Sequence, residues 1–279
     1  MSAIDYEAQY NNSRRVPEVD QIGHRWRAAS KEYRAAAHAE VDQPYGPGER
    51  HRYDLFPADR RDAPMVLYFH GGYWQEGDRT LYSFLAEPLN KSGLGVVIPS
   101  YSLCPAVSVL EIVDELRSCM AAVWNRTGVR PLVVGHSAGG HLTAAMLATD
   151  WAAVGGVPSD LVRGGVAISG VFELQPLVST SINAALGLDQ DSARAGSPLF
   201  WPIPPGDRAL VAVVGGQESA EFRRQGREMA EHWRAAGLRS EYIEIPGANH
   251  FTVVDKLATP GTALFSRVVA LARELHGPT

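Results

Sequence analysis

The pentapeptide Gly135-His136-Ser137-Ala138-Gly139 constrains the fold of this chain more than any other feature. The apolar residues 131–134 lead into it, and a helix-forming run of alanine and leucine follows it. A serine between two glycines at such a strand-to-helix junction is typical of a nucleophile elbow, in which a strained turn leaves no room for flanking side chains. The same pentapeptide also arises by chance, so the rest of the sequence must show whether it is a nucleophile elbow or an ordinary glycine-serine turn.

Strand-like and helix-like segments alternate along the chain. The predicted strands are 52–56, 65–69, 95–99, 131–134, 165–168, 209–214 and 241–245. Apolar residues at helical spacing predict helices at about 19–39, 83–91 and 111–124. This alternation predicts an α/β-hydrolase type of α/β fold, with a mostly parallel central sheet, helices on both faces and the ligand site beyond the carboxyl ends of the strands.

Length and composition favour a single domain over residues 1–279. The chain is 45% hydrophobic and 20% charged, which is ordinary for a globular domain of this size. Residues 1–45 are predicted to form an N-terminal extension packed on the domain. In residues 170–206 the strand and helix pattern weakens and prolines gather, which predicts a small cap, with a plain surface excursion as the alternative.

Charge and cysteine content exclude several classes of protein. The net charge of −5 and the pI near 6.0 disfavour nucleic acid and anionic membrane surfaces as partners. The N-terminal residues lack the basic start and apolar run of a secretory signal, so a cytoplasmic location is expected. Cys104 and Cys119 have no Cys-x-x-Cys spacing and are expected to be free thiols. No Gly-x-Gly-x-x-Gly follows the first strand, which disfavours a Rossmann dehydrogenase. A metal-independent hydrolase with no cofactor is expected.

A serine hydroxyl needs a base to accept its proton and an acid to orient that base. In the order typical of this fold, the acid follows a late strand and the histidine follows the last one. His250 fits the position of the base. Glu218 is the preferred acid, while Glu221 at the start of the next helix and Asp255 beyond the histidine remain alternatives.

The negative charge that develops on the substrate oxygen needs backbone N–H donors. Ala138, which follows Ser137, would supply one donor. The glycine-bearing loop after strand 65–69 would supply the second, from Gly71, Gly72 or Tyr73.

The remaining histidines and aromatic residues have two interpretations each. His70 is interpreted as bracing its loop rather than as a second base, and His136 and His141 as packing or pocket-wall residues. The candidates for an aryl-binding pocket, with core packing as the equal alternative, are Tyr73, Trp74, His136, Phe172, Phe200 and Trp201.

Three motifs together resemble the kynurenine formamidase (arylformamidase) group of α/β-hydrolases, near the hormone-sensitive-lipase-like esterases. They are His-Gly-Gly-Tyr-Trp-Gln at 70–75, Gly-His-Ser-Ala-Gly-Gly-His-Leu at 135–142 and Gly-Ala-Asn-His-Phe at 247–251, and segments 10–17 and 218–225 are similar too. The resemblance implies a triad of Ser137, Glu218 and His250, with an oxyanion hole from the 71–73 loop and Ala138. The family's acid is often Asp, where this chain has Glu218.

The predicted activity is hydrolysis of a small amide or ester through an acyl-enzyme, and the resemblance points to an aryl formamide such as N-formylkynurenine. The alternatives are a general short-chain carboxylesterase, a hydrolase of another aryl amide or carbamate and, more distantly, a non-catalytic binding protein of the hydrolase fold. The expected partner is a small aromatic amide or ester, with no nucleic acid and no membrane. The oligomeric state stays open, a homodimer included.

Overall fold

The computed structural model describes residues 4–203 and 206–276. The strands are β1 (Glu40–Pro44), β2 (Arg52–Phe56), β3 (Met65–Phe69), β4 (Gly95–Pro99), β5 (Pro131–His136), β6 (Gly164–Ile168), β7 (Ala209–Gly215) and β8 (Arg239–Ile245). The helices are α1 (Tyr6–Tyr10), α2 (Asn12–Arg15), α3 (Val19–Ala36), α4 (Ala86–Lys91), α5 (Val109–Thr127), α6 (Ala138–Ala148), α7 (Trp151–Val154), α8 (Asn183–Leu186), α9 (Gln190–Ala195), α10 (Ala220–Ala235), α11 (Thr252–Leu257) and α12 (Ala263–His276). Short 3-10 turns lie at Arg79–Leu81, Ser83–Leu85, Gln175–Ser179 and Pro198–Phe200.

The strands form one sheet in the order β1-β2-β4-β3-β5-β6-β7-β8. From β4 to β8 every neighbouring pair is parallel, and β2 and β1 are added antiparallel at one edge. Parallel strands point their carboxyl ends to the same edge, so the loops after β3, β5, β7 and β8 gather there. The predicted fold class is confirmed.

The sheet separates two hydrophobic clusters, one on each face. In β3, Leu67 and Phe69 pack into one cluster, while Val66 and Tyr68 pack into the other. Successive side chains of a strand point to opposite faces, so a strand buried on both sides must be apolar throughout. This explains why the central strands appear in the sequence as continuous apolar runs.

The sequence-based boundaries differ from the structure at several elements. The apolar pattern does not predict strand β1, because its sequence Glu-Val-Asp-Gln-Pro is polar and ends in proline. Such a composition is common in edge strands. The helix expected to run to residue 39 ends at Ala36. Helix α5 begins earlier than predicted, because Ser108 and Glu111 form a reciprocal capping box.

The N-terminal residues pack into the hydrophobic clusters on both faces of the sheet. Tyr10 of α1 is fully buried in one hydrophobic cluster, and Trp26 of α3 is buried in the other, where it stacks on Phe84 at a ring distance of 5.7 Å. Residues 11–18 therefore cross from one face to the other. They do so at the carboxyl edge of the sheet, where Tyr73 of the loop after β3 donates a hydrogen bond to the carbonyl of Tyr10 at 2.6 Å.

The segment predicted as a cap consists of short turns and helices after β6. Phe172, Leu174 and Leu177 are fully buried and attach it to the sheet. Residues 204–205 of that segment, and residues 1–3 and 277–279 of the predicted domain, lie outside the described residues. The division of the chain into domain, extension and cap stays a prediction. Within the described part of the chain, no helix is long and apolar enough to span a membrane.

Candidate active site

Ser137 lies on a strained turn between β5 and α6. Its backbone has φ +57° and ψ −118°, a conformation that costs a non-glycine residue about 1–3 kcal/mol. A Cβ at Gly135 would lie 2.1 Å from the carbonyl oxygen of Gly139, and one at Gly139 would lie 2.0 Å from the carbonyl oxygen of Phe69. The sequence therefore needs glycine on both sides of the serine, because backbone atoms fill the space that a side chain would take.

Glu218 and His250 meet beside this turn. His250 Nδ1 lies 2.7 Å from Glu218 Oε2. The other carboxylate oxygen accepts hydrogen bonds from the backbone N–H of Gly215 and from the hydroxyl of Ser169, both at 2.6 Å. Three donors thus fix the carboxylate, which in turn fixes the histidine ring. Because Nδ1 faces the glutamate, Nε2 is the ring nitrogen left to act as a base.

The two other acid candidates have different partners. Glu221 accepts a hydrogen bond from the hydroxyl of Tyr10 at 3.0 Å and pairs with Arg224 at 2.7 Å. Asp255 accepts from the indole N–H of Trp26 at 2.6 Å and pairs with Arg25. Of the three candidates, the geometry brings Glu218 alone to His250.

The loop after β3 packs against the serine. A Cβ at Gly71 would lie 3.2 Å from the Cβ of Ser137, so this backbone passes directly beside the nucleophile position. Gly72 has φ +115°, and the turn is closed by the N–H groups of Gln75 and Glu76, which both donate to the Gly72 carbonyl at 3.0 Å. Ala138 begins α6 immediately after Ser137. The two predicted sources of oxyanion donors therefore flank the same side chain.

His70 and His141 are buried and neutral. The ring of His70 stacks on Tyr101 at 4.3 Å, its Nδ1 bonds to the Gly71 carbonyl at 2.8 Å, and burial lowers its pKa to about 4. His141 Nε2 donates to the carbonyl of Gly196 at 2.8 Å, and burial lowers its pKa to about 4 as well. Both rings therefore brace loops: His70 braces the loop after β3, and His141 ties α6 to the segment after β6.

His136 holds the candidate base in place. Its Nε2 donates to the backbone carbonyl of His250 at 2.7 Å, and the two rings lie 4.7 Å apart. Burial, followed by the nearby His250, lowers the pKa of His136 well below its usual value. A neutral His136 adds no positive charge next to the ring of His250.

A cavity of about 260 Å³ contains the side chains of Ser137 and His250. Of the predicted pocket residues, Tyr73 and His136 line it. Three others correct the prediction. Trp74 is fully buried edge-on against His141, Phe172 is fully buried in a core cluster, and Trp201 donates its indole N–H to the Ala195 carbonyl at 2.7 Å. Trp74 and Phe172 are thus core residues, and Trp201 is partly exposed and does not line this cavity.

Sequence reasoning missed most of the cavity wall. The additional lining residues are Asn11, Asn12, Ser13, Val19, Trp26, Gln75, Glu76, Tyr82, Ile182 and Phe251. Half of them belong to the N-terminal extension. The helical stripe of Ile22 and Trp26 was visible in the sequence, but periodicity does not indicate which part of the sheet a helix covers. Within residues 4–203 and 206–276, no group of three or more His, Cys, Asp or Glu side chains is placed to hold a metal ion.

The chain is similar to known hydrolases. A family model described as an alpha/beta hydrolase fold matches residues 66–202. A kynurenine formamidase of Danio rerio is 30% identical over 271 residues, which cover 92% of each chain. A carboxylesterase of Mycobacterium tuberculosis, NlhH, is 27% identical over 260 residues, 79% of this chain and 76% of that protein. The crystal structure of a putative thioesterase from Silicibacter sp. TM1040 has a TM-score of 0.86 at 30% identity and covers 96% of this chain and 100% of its own.

Proposed function

Since the chain belongs to the α/β-hydrolase family, among its kynurenine-formamidase-like members, we propose that it is a serine hydrolase that cleaves aryl formamides. Its proposed catalytic triad is Ser137, Glu218 and His250. The coarser activity is hydrolysis of an amide or ester bond of a small molecule. One observation carries the triad assignment: His250 is bonded through Nδ1 to Glu218 at 2.7 Å and lines the same cavity as Ser137.

In the first half of the reaction, His250 Nε2 accepts the hydroxyl proton of Ser137 as Oγ attacks the formyl carbon. The carbonyl oxygen becomes negative and is stabilised by the N–H of Ala138 and by the loop at Gly71 and Gly72. The C–N bond then breaks, and the arylamine leaves with the proton from His250. Ser137 is left as a formyl ester.

In the second half, water replaces the amine in the cavity. His250 takes a proton from this water, whose oxygen attacks the formyl ester, and Ser137 recovers its proton as formate leaves. The Glu218 carboxylate keeps its hydrogen bond to Nδ1 through both halves and stabilises the charged ring. Water supplies the H of the amine and the OH of formic acid, which then ionises to formate in solution.

The side chains that line the cavity support an aromatic leaving group. Rings of Trp26, Tyr73, Tyr82 and Phe251 lie in its walls, and aromatic side chains pack favourably on a flat aryl group. The relatives called kynurenine formamidase support the same substrate class, with N-formylkynurenine as the representative. The competing proposal is a short-chain carboxylesterase, because the same triad can hydrolyse esters. The mycobacterial carboxylesterase among the relatives supports it.

Covalent labelling tests the nucleophile. An organophosphate that reacts with activated serines is expected to label Ser137, as read by peptide mass spectrometry, and Ser137→Ala should abolish both labelling and hydrolysis of aryl formamides and esters. Ser13 lines the same cavity and provides the matched control. Ser13→Ala should keep the label, and a label that persists in Ser137→Ala would refute the assignment.

The bond preference needs a separate experiment. The purified protein is given N-formylkynurenine, an aryl acetate and an aryl acetamide, and kcat/KM is measured for each. We expect N-formylkynurenine to give the largest value. A clearly larger value for the aryl acetate would favour the carboxylesterase.

A further inference from the structure

Asn12 is a buried polar residue in the wall of the candidate active site, and it takes no part in the reaction described above. It begins α2, in the segment that crosses the carboxyl edge of the sheet, and only 5% of it is exposed. It lines the cavity that contains Ser137 and His250. Buried carboxamides normally have hydrogen-bond partners for both their oxygen and their nitrogen, so a missing partner beside a cavity points to a ligand.

The hydrogen bonds of Tyr73 determine which way the Asn12 carboxamide faces. The Tyr73 hydroxyl donates its one proton to the carbonyl of Tyr10 at 2.6 Å. It can therefore only accept from Asn12, and Nδ2 is the atom that faces it, at 3.4 Å. Within the described residues, Asn12 Oδ1 accepts no hydrogen bond, and protein atoms do not seal it off. The cavity wall thus contains an acceptor that lacks a donor.

Tyr73 also connects Asn12 to the loop that flanks the nucleophile. It follows Gly72, and a Cβ at Gly71 would lie 3.2 Å from the Cβ of Ser137. In the proposed reaction, N–H groups of this loop and of Ala138 hold the carbonyl oxygen of the substrate. The amide N–H of a formanilide is then its remaining polar group, and it needs an acceptor.

The cleavage of an amide gives this N–H group a particular importance. As Ser137 attacks, the amide nitrogen becomes pyramidal, and its lone pair must face the proton on His250. The N–H then points away from His250, so an acceptor that receives it favours the geometry in which the C–N bond breaks. An ester has no hydrogen on the corresponding oxygen, and a buried acceptor left without a donor disfavours its binding.

We propose that Asn12 Oδ1 accepts a hydrogen bond from the N–H of the scissile amide and thereby selects amides over esters. Asn12 is then a specificity-determining residue that contacts the leaving nitrogen. This inference rests on the proposed function, since Ser137 and His250 must carry out the cleavage.

Formanilide and phenyl formate test the role of Asn12, because they share the ring and the acyl group and differ in N–H against O. Asn12→Leu and Asn12→Ser remove the carboxamide, and each should lower the kcat/KM ratio of formanilide to phenyl formate about tenfold. Asn12→Asp keeps an acceptor oxygen and should retain most of the ratio. A loss of structure in the cavity wall would slow both substrates alike and leave the ratio unchanged.

Asn11→Ser is the matched control, since Asn11 lines the same cavity but its carboxamide already has partners. Its Oδ1 accepts from the backbone N–H of Arg14 at 3.3 Å, and its Nδ2 donates to Glu7 at 2.9 Å. Serine also caps helices, so this variant should change kcat/KM for both substrates by the same factor.

Two outcomes separate this inference from the proposed function. Wild-type ratios in Asn12→Leu and Asn12→Ser, with formanilide still hydrolysed, would overturn the role of Asn12 and leave the formamide assignment standing. Hydrolysis of phenyl formate without hydrolysis of formanilide by the wild-type protein would overturn both.

Discussion

The carboxylate of Glu218 is held by donors from three different elements, and this determines where His250 points. One donor is the backbone at the end of β7, one is Ser169 after β6, and one is the histidine itself. Glu221, three residues further, is occupied by Tyr10 and Arg224 instead. Two glutamates of one short segment thus have separate structural tasks.

Substituting these glutamates separately tests that division. Glu218→Gln removes the negative charge behind His250, so kcat for the aryl formamide should fall by about 10²–10⁴-fold. Glu221→Gln leaves the triad intact, so kcat should stay within a few-fold while the free energy of unfolding drops by about 1–3 kcal/mol. Steady-state kinetics and urea unfolding of both variants measure the contrast, and the reverse pattern would transfer the acid role to Glu221.

Some residues of the site are predictable from the sequence because short-range rules place them. Ser137 is marked by its two glycines, and His250 by its position directly after the last strand. Tyr73 follows from the loop after β3. Asn12 and Trp26 are not predictable in this way, since their place depends on where a distant segment crosses the sheet. Trp74 and Trp201 look like pocket residues in the sequence because composition does not distinguish a buried ring from a cavity wall.

At the scale of elements, the parallel strands were the most predictable part of the fold. β3, β5 and β7 are buried on both faces, so their apolar content is continuous and leaves a clear pattern. The edge strand β1 is half exposed and carries no such pattern. The periodicity of the N-terminal segment predicts a helix. It does not predict where that helix attaches, because the segment is held by single side-chain contacts to residues distant in the sequence.

The hydroxyl of Tyr10 is one such attachment. It donates to Glu221 across 211 positions of sequence, while the Tyr10 carbonyl accepts from Tyr73 in the cavity wall. Tyr10→Phe should loosen residues 11–13, which line the cavity, and raise KM several-fold with kcat nearly unchanged. Limited proteolysis should then cut the N-terminal segment faster than in the wild type.

Tyr6→Phe is the matched control, because Tyr6 lies on the same short helix and its hydroxyl makes no hydrogen bond within the described structure. It should keep the wild-type KM and cleavage rate. If Tyr10→Phe behaves like this control, the N-terminal segment is held by apolar packing rather than by the hydroxyl.

At the scale of the whole molecule, the carboxyl edge of the sheet concentrates buried neutral histidines. His70, His136 and His141 follow or end neighbouring strands, and burial lowers the pKa of each. Their neutral forms suit the mechanism proposed above, in which His250 alone carries a positive charge during the reaction. The stability of the folded protein is therefore expected to fall in acid, because all three rings can be protonated more readily once the chain unfolds.

The pH dependence of folding follows from these shifts. A histidine with a pKa of 6.5 when unfolded and about 4 when folded binds its proton more readily in the unfolded chain. Its stabilising contribution is complete above about pH 6.5 and is lost as the pH falls towards 4, by on the order of 3 kcal/mol for each such group. The free energy of unfolding should therefore fall steeply across this window.

Urea unfolding at a series of pH values measures that slope, and His141→Gln identifies one contributor. The glutamine amide can still donate to the Gly196 carbonyl but does not titrate, so the variant should lose less stability between pH 6.5 and 4 than the wild type does. His24→Gln makes the same substitution at an exposed position and controls for the loss of an imidazole as such. Parallel curves for His141→Gln and the wild type would mean that the buried His141 ring does not contribute to acid unfolding, and that other groups produce the slope.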